Sequence, residues 1–402
     1  MKNLELYIHI PFCFKKCAYC DFLSFSCDEK TQIVYADALI REIEFYGSQM
    51  KDYFVTTIFV GGGTPTWLNE DKMVEILDTV YTYFNVSADA EITMECNPGT
   101  VTMTKLEKYR RAGVNRLSIG LQSADDEELK ILGRIHTYEK FVKTYEMARN
   151  AGFANINVDL ISGIPYQTAE TFLHTLQKVV RLKPNHISAY SLIIEKGTPF
   201  YEKYKFDMVK QEAGLETEVL PTEDEVYRIT KLTQQYLAQA GYGQYEISNF
   251  AQPGFECVHN IGYWTRENYL GLGLGAASLL NNVRYANETD LDAYIRASEA
   301  IEPLAFEQAD GHIEYGTNLH IAADAVSRKA QMEEFMFLGL RMQAGVTRQQ
   351  FEDTFGIPID GIYKNALEHL KQEGLLDTSA GRIVLTEKGQ DLSNYALAQF
   401  LL

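Results

Sequence analysis

His9-Ile-Pro-Phe-Cys13-Phe-Lys-Lys-Cys17-Ala-Tyr-Cys20-Asp-Phe22 carries three cysteines spaced C-x3-C-x2-C, directly after a short run, Glu5–His9, that reads as a β-strand. Soft thiolates suit iron–sulfur clusters. Three of them on one loop can hold three irons of a four-iron cubane and leave the fourth iron open. Electron-transfer clusters take four protein thiolates, and zinc wants four ligands, often as paired C-x2-C units. The spacing therefore points to a 4Fe–4S cluster on Cys13, Cys17 and Cys20 with a fourth ligand from outside the chain.

This segment resembles the signature of the radical S-adenosylmethionine (SAM) superfamily. The resemblance implies that SAM chelates the open iron through its amino and carboxylate groups and is cleaved there by one electron from the cluster.

Outward from the cysteines, strands and helices alternate. Strands are expected at Glu5–His9, Thr57–Val60, Glu91–Glu95, Arg116–Ile119, Asn155–Leu160 and His186–Tyr190, with amphipathic helices between them such as Gln32–Tyr46, Lys72–Phe84 and Thr168–Val180. Alternation of this kind builds a parallel sheet with helices outside. Six units without a dinucleotide-binding glycine fingerprint predict an α/β fold, a partial (β/α)6 barrel. The expected organisation is a barrel over 1–205, an extension over 206–315 and a C-terminal unit over 316–402. That last unit reads as helices at Met332–Met342, Arg348–Phe355 and Ile362–Glu373, a hairpin from Leu376 to Thr386, and a helix Lys388–Phe400. It is mainly helical and winged-helix-like. Tyr245–Ser278, rich in aromatics, Gly, Asn and His, reads as loops and strands.

Barrels of this kind place ligands at the C-terminal ends of their strands. Gly61-Gly-Gly-Thr64-Pro follows the second strand, where glycines let backbone approach a ligand and offer N–H donors. Glu95-Cys-Asn-Pro98 ends the third, and its carboxylate suits an amino group or ribose hydroxyls. Gln122 ends the fourth, Leu132-Gly-Arg134-Ile-His136 follows it, and Asp159 ends the fifth. An arginine there can grip a carboxylate with two parallel bonds.

Together these motifs are similar to the oxygen-independent coproporphyrinogen III dehydrogenase (HemN) family, over nearly the whole chain. The resemblance implies SAM contacts at Tyr7, Tyr19, Gly62, Gly63, Thr64, Glu95, Gln122, Arg134 and Asp159. The family has two branches: the dehydrogenase, and HemW, a heme-binding chaperone. Three features resemble the chaperone branch. Phe22 stands where the dehydrogenase has a fourth cysteine. Cys13 lies almost at the start, without the dehydrogenase's N-terminal extension. His259-Asn-Ile-Gly-Tyr263-Trp264 matches H-N-x-x-Y-W. An imidazole is a common axial ligand of heme iron, Cys257 is a second soft ligand, and Tyr263 and Trp264 offer flat surface to a porphyrin. The same residues read without the resemblance describe a hydrogen-bonded histidine and core aromatics.

The branch implies heme and apo-hemoproteins such as respiratory enzymes as partners, together with an electron donor. The alternative is radical oxidative decarboxylation of coproporphyrinogen propionates; between the two, Phe22 and H-N-x-x-Y-W favour the chaperone branch. A formal net charge of −18 disfavours nucleic acid as a partner. The stretch Ala366–Glu373 of the helix Ile362–Glu373 carries no basic excess and makes a poor recognition helix. The N-terminus reads as a strand rather than a leader, and no apolar run is long enough to span a bilayer. A cytoplasmic protein with at most transient, peripheral membrane contact is expected.

Overall fold

A computed structural model describes residues 1–307 and 313–402; the part of the expected extension at 308–312 lies outside the described residues. Six parallel strands form the centre: β1 (Lys2–Ile10), β2 (Tyr53–Gly62), β3 (Val86–Cys96), β4 (Arg116–Gln122), β5 (Asn155–Ser162) and β6 (His186–Ser191). All six begin within a few residues of their expected positions, because each is a β-branched or aromatic run closed by turn residues.

Strand residues alternate between two faces. One face carries Leu4, Leu6, Ile8 and Ile10 on β1, Ile92 and Met94 on β3, and Leu117, Ile119 and Leu121 on β4. These are buried in the large apolar core. Helices such as Glu29–Gln49, Glu70–Tyr83 and Ala169–Arg181 cover that face. Side-chain oxygens of Asp28, Asn69 and Thr168 cap their first turns.

The other face lines the barrel interior and is polar. The pairing register sets Glu5 beside Thr57 and Thr57 beside Glu91. It also aligns Glu95, Ser118, Asn157 and His186 across β3 to β6.

The chain then widens this sheet on both edges. Beside β6 lie β7 (Gly243–Gln244) and β8 (Asn249–Ala251). Beside β1 lie β9 (Tyr269–Leu272), β10 (Ala277–Leu280), β11 (Val283–Asn287) and β14 (His320–Ala325). A hairpin, β12 (Pro303–Glu307) and β13 (Ile313–Thr317), is separate from that sheet. The expected extension is thus continuous with the barrel sheet. The boundary at 205/206 falls inside the helix Pro199–Glu212, and that at 315/316 falls inside β13.

Residues from Arg328 onward have their own apolar cluster, which includes Met336, Phe351, Tyr363, Leu370 and Phe400. Helices Arg348–Phe355 and Asp360–Gln372 pack on a small sheet of β15 (Val346–Thr347), β16 (Leu376–Asp377) and β17 (Arg382–Leu385). This is the winged-helix-like arrangement expected. The expected last helix is two short ones, Glu387–Asp391 and Ser393–Ala398.

The stretch read as loops and strands contains a helix the reading missed, Val258–Thr265, which carries H-N-x-x-Y-W. It packs at the end of the barrel opposite the cysteine loop, against the N-terminal halves of β1, β2 and β3.

Candidate functional site at the barrel mouth and the helix that closes the floor

The cysteine loop follows β1 and crosses the C-terminal end of the barrel. Its entry is fixed by the glycine run. Gly63 N–H donates to Ile10 O at 2.9 Å and Thr64 N–H to Phe12 O at 2.7 Å. A Cβ on Gly62, at φ +109°, would stand 2.4 Å from the His9 ring, and one on Gly63 would stand 2.8 Å from Phe12 O. Only glycine fits there. Gly62 N–H donates to Glu95 Oε2 at 3.1 Å. The N–H groups of Gly62 and Gly63, expected to serve a ligand, are taken up by the protein itself, as is that of Thr64.

Cys13, Cys17 and Cys20 are all half-buried. Burial pushes the Cys20 thiol up, and the thiols of Cys17 and Cys13 push it the same way, so the three share one region. Among the described residues, no three His, Cys, Asp or Glu side chains close around a point suited to one metal ion. A cubane binds each thiolate to a different iron, so its thiols stand apart. Three half-open soft donors on one loop fit that group.

A hydrogen-bonded chain ties two of these cysteines together through residues from three strand ends. Arg134 donates to Cys17 Sγ at 3.6 Å, Asn97 Oδ1 at 2.6 Å and Gly120 O at 2.7 Å. Asn97 Nδ2 donates to Thr64 Oγ1 at 2.7 Å, which leaves the Thr64 hydroxyl hydrogen for Cys13 Sγ at 3.4 Å. Arg134 also bonds the Tyr19 hydroxyl, and the Tyr19 ring packs edge-on against Phe200. Gln122, at φ +73°, bends back so that its amide nitrogen lies 2.9 Å from where a Cβ on Gly120 would stand. Asn97 belongs to this chain and was not singled out in the sequence; its place two residues after Glu95 was the available signal.

Two carboxyls lie deeper. Burial pushes Glu95 up to about 8, the nearby Asp159 adds to the shift, and the Gly62 N–H opposes it. Asp159 is raised by burial, against hydrogen bonds from Ser118 and Asn157, both at 2.8 Å. Tyr7 donates to His9 Nδ1 at 2.9 Å, and His9 Nε2–H donates to Leu23 O at 2.9 Å, which fixes the His9 tautomer. The mouth therefore gathers Tyr7, Tyr19, Gly62, Gly63, Thr64, Glu95, Gln122, Arg134 and Asp159 on the side of the three cysteines.

The H-N-x-x-Y-W residues stand at the other end. Glu91 accepts from Val258 N–H and His259 N–H, each at 3.2 Å, and from Cys257 Sγ at 3.4 Å. A carboxylate so placed caps the helix N-terminus. His259 is buried, with Nδ1 on Thr57 Oγ1 at 2.7 Å, Nε2 on Tyr263 Oη at 3.0 Å, and its ring stacked on Phe59. Neither ring nitrogen is open. Cys257 is fully buried. Tyr263 packs edge-on to Tyr269, and Arg341 lies over the Trp264 ring at 4.6 Å. The helix is a floor to the barrel.

Floor and mouth are joined by side chains that sequence reading did not single out. Asn157, which holds Asp159, pairs with His186 Nδ1 at 2.7 Å, and His186 Nε2 with Tyr245 Oη at 2.8 Å. Tyr245 Oη accepts from Cys257 N–H at 3.3 Å. The buried Arg116 lies in the field of Cys257 and Glu91 below and Asp159 above. The signal was the polar residue at every second position of six buried strands.

Residues 7–179 match the Radical SAM superfamily, and residues 326–392 match the HemN C-terminal domain. Heme chaperone HemW of Bacillus subtilis (strain 168) is 35% identical over 396 residues, covering 98% of each chain. Heme chaperone HemW of Escherichia coli (strain K12) is 36% identical over 400 residues, covering 99% of this chain and 98% of that one. Among solved structures, coproporphyrinogen III oxidase (HemN) from Escherichia coli, described as a radical SAM enzyme, superposes with a TM-score of 0.80 at 25% identity, covering 100% of this chain and 90% of that one.

Proposed function

Because this chain belongs to the HemW family of radical SAM proteins, we propose that it is a heme chaperone, which binds heme and passes it to apo-hemoproteins such as respiratory enzymes. The observation that carries the choice over the dehydrogenase is Phe22. It stands where that branch has a cysteine, and its side chain is 69% exposed at the mouth.

Cys13, Cys17 and Cys20 would hold the 4Fe–4S cluster, whose open iron supplies one-electron reductive chemistry to SAM when both are bound. An outside electron donor is then required. Glu95 and Asp159 are the acceptors for the cationic and hydroxyl groups of SAM. Arg134 holds the loop at Cys17 and, with Tyr19 and Gln122, closes the mouth against bulk water. Asn157 and Ser118 fix Asp159 so that both its oxygens are oriented before a ligand arrives. His259 and Cys257 serve the barrel floor in this arrangement. As heme ligands they would first have to leave Thr57, Tyr263 and Glu91.

Among the described residues no helix is long and apolar enough to cross a membrane. We place the protein in the cytoplasm, with transient contact to membranes where its acceptors reside. The test is paired, on anaerobically reconstituted protein: hemin is titrated by absorbance, and coproporphyrinogen III conversion is assayed with SAM and a reductant. Stoichiometric heme binding without conversion is expected. Conversion that disappears in Cys17→Ser, without specific heme binding, would restore the dehydrogenase.

A further inference from the structure

Glu42 is a fully buried carboxyl outside the barrel, used by neither the mouth nor the floor. It lies on the helix Glu29–Gln49, and its partners come from three later elements. Oε2 accepts from Gly273 N–H at 2.7 Å and from the Tyr294 hydroxyl at 2.6 Å, and Oε1 accepts from Asn287 Nδ2 at 2.7 Å. The same Asn287 nitrogen donates to Gly273 O at 2.9 Å. Burying a carboxyl is costly unless hydrogen bonds satisfy it, and a satisfied polar cluster rigidifies what it holds. What it holds here is the turn Gly273-Leu-Gly275 that follows β9.

β9 runs parallel to β1, with Leu272 beside Ile8, so the turn emerges at the mouth next to the start of the cysteine loop. Its glycines let it come close. A Cβ on Gly273, at φ +99°, would stand 2.8 Å from His9 O, and one on Gly275, at φ +66°, would stand 2.5 Å from Cδ2 of Leu23. The Tyr35 hydroxyl joins the two segments: it donates to His9 O at 2.6 Å and accepts from Leu274 N–H at 3.1 Å. Leu23 is on the return arm of the cysteine loop, three residues past Cys20, and its carbonyl takes the His9 Nε2–H.

The chain through Arg134, Asn97 and Thr64 reaches Cys17 and Cys13 from the barrel strands. Cys20 bonds within its own loop: its N–H donates to Cys17 O at 3.3 Å, and its sulfur takes the Phe22 N–H. Resting on the cluster reading above, we propose that the glycine turn is the seat of the loop's return arm, with Glu42 as its anchor and Tyr35 as a positioning residue for the third cluster thiol, Cys20. Two thiols are then fixed from the barrel and the third from the sheet that widens it beside β1.

Full-length protein reconstituted anaerobically with iron and sulfide tests this. The readouts are the rate at which a chelator bleaches the cluster and the electron paramagnetic resonance spectrum of the dithionite-reduced cluster, with urea denaturation of cluster-free protein beside them. Tyr35→Phe removes the shared hydroxyl and keeps the ring. Gly275→Ala drives a methyl group against Leu23, and Leu23→Ala in that background removes the obstruction while leaving the carbonyl that His9 holds. Both single variants are expected to lose the cluster about tenfold faster and to show altered g-values, and the double variant is expected to return toward the native rate and spectrum. A purely structural role would lower the urea midpoint and leave the spectrum unmoved. If Tyr35→Phe keeps the native bleaching rate and spectrum, the turn does not position Cys20, and the cluster reading stands. If the native protein itself takes up no four-iron cluster, the cluster reading fails and the proposal with it.

Discussion

The guanidinium of Arg134 lies 3.6 Å from Sγ of Cys17, while the same group grips Asn97 and the carbonyl of Gly120. A side chain from beyond the fourth strand thereby holds the loop that follows the first. Cysteine geometry is set by this chain as much as by the spacing of the thiols.

Asn97 is the middle of that chain and carries it in both directions. Asn97→Ala leaves buried Arg134 and Thr64 each short of a partner, at a cost of about 1–3 kcal/mol. Urea denaturation of the cluster-free protein is expected to show this loss. Iron retained per chain after reconstitution is expected to fall with it.

Buried carboxyls make stability fall as pH rises above neutrality. Burial pushes Glu5 up to about 9, with Glu267 and Glu91 adding to the shift, and Glu95 stands at about 8. A carboxyl raised in the folded state binds a proton that the unfolded chain has lost above its ordinary value of 4.5. Its stabilising effect is full below that value and is lost as pH rises through the folded value, at up to about 1.4 kcal/mol per pH unit for each group. The buried histidines shift the other way and have finished titrating near 6.5. The melting temperature is expected to drop from pH 7 to 9, with a shallower slope in Glu5→Gln. An unchanged slope in that variant would assign the loss to other groups.

His186 acts on Asp159 through Asn157. His186→Ala is expected to raise the dissociation constant for SAM roughly tenfold, equivalent to about 1.4 kcal/mol, without changing cluster iron. His186→Gln, which keeps one polar contact, is expected to recover part of it. Equal SAM affinity in all three proteins would show that Asp159 needs no such support.

Glu91 caps the floor helix with bonds to two backbone N–H groups and one thiol. Glu91→Ala is expected to cost about 1–2 kcal/mol and to change the fluorescence of Trp264, which that helix carries. The variant Trp67→Phe leaves Trp264 as the remaining tryptophan and isolates the signal.

The six central strands were legible because each is a short hydrophobic run closed by glycine or a polar turn, with helix-period segments between. The Cys loop was legible from spacing alone. The helix Val258–Thr265 was not: it has eight residues, a glycine within it and an aromatic pair, a pattern that also describes a loop. Gly262 is required there because a Cβ would run into the Glu5 carboxyl at 2.0 Å. Its histidine read as a ligand because imidazole next to aromatic surface suits heme. Whether a histidine offers a lone pair depends on partners far away in sequence, here Thr57 for His259. The polar barrel interior was half visible. Glu5, Tyr7 and His9 alternate with apolar residues in one strand, but which of them face each other across the barrel depends on strand register.

Hand-over to an acceptor is what separates a heme chaperone from a protein that only binds heme. Protein loaded with one equivalent of hemin is mixed with the apo-form of a heme-containing respiratory enzyme, the two are separated, and heme is quantified on each. Heme is expected to move to the acceptor faster than from an equal concentration of free hemin, and the emptied protein is expected to take up hemin again. Heme that stays on the protein, or that reaches the acceptor no faster than free hemin does, would contradict the chaperone reading.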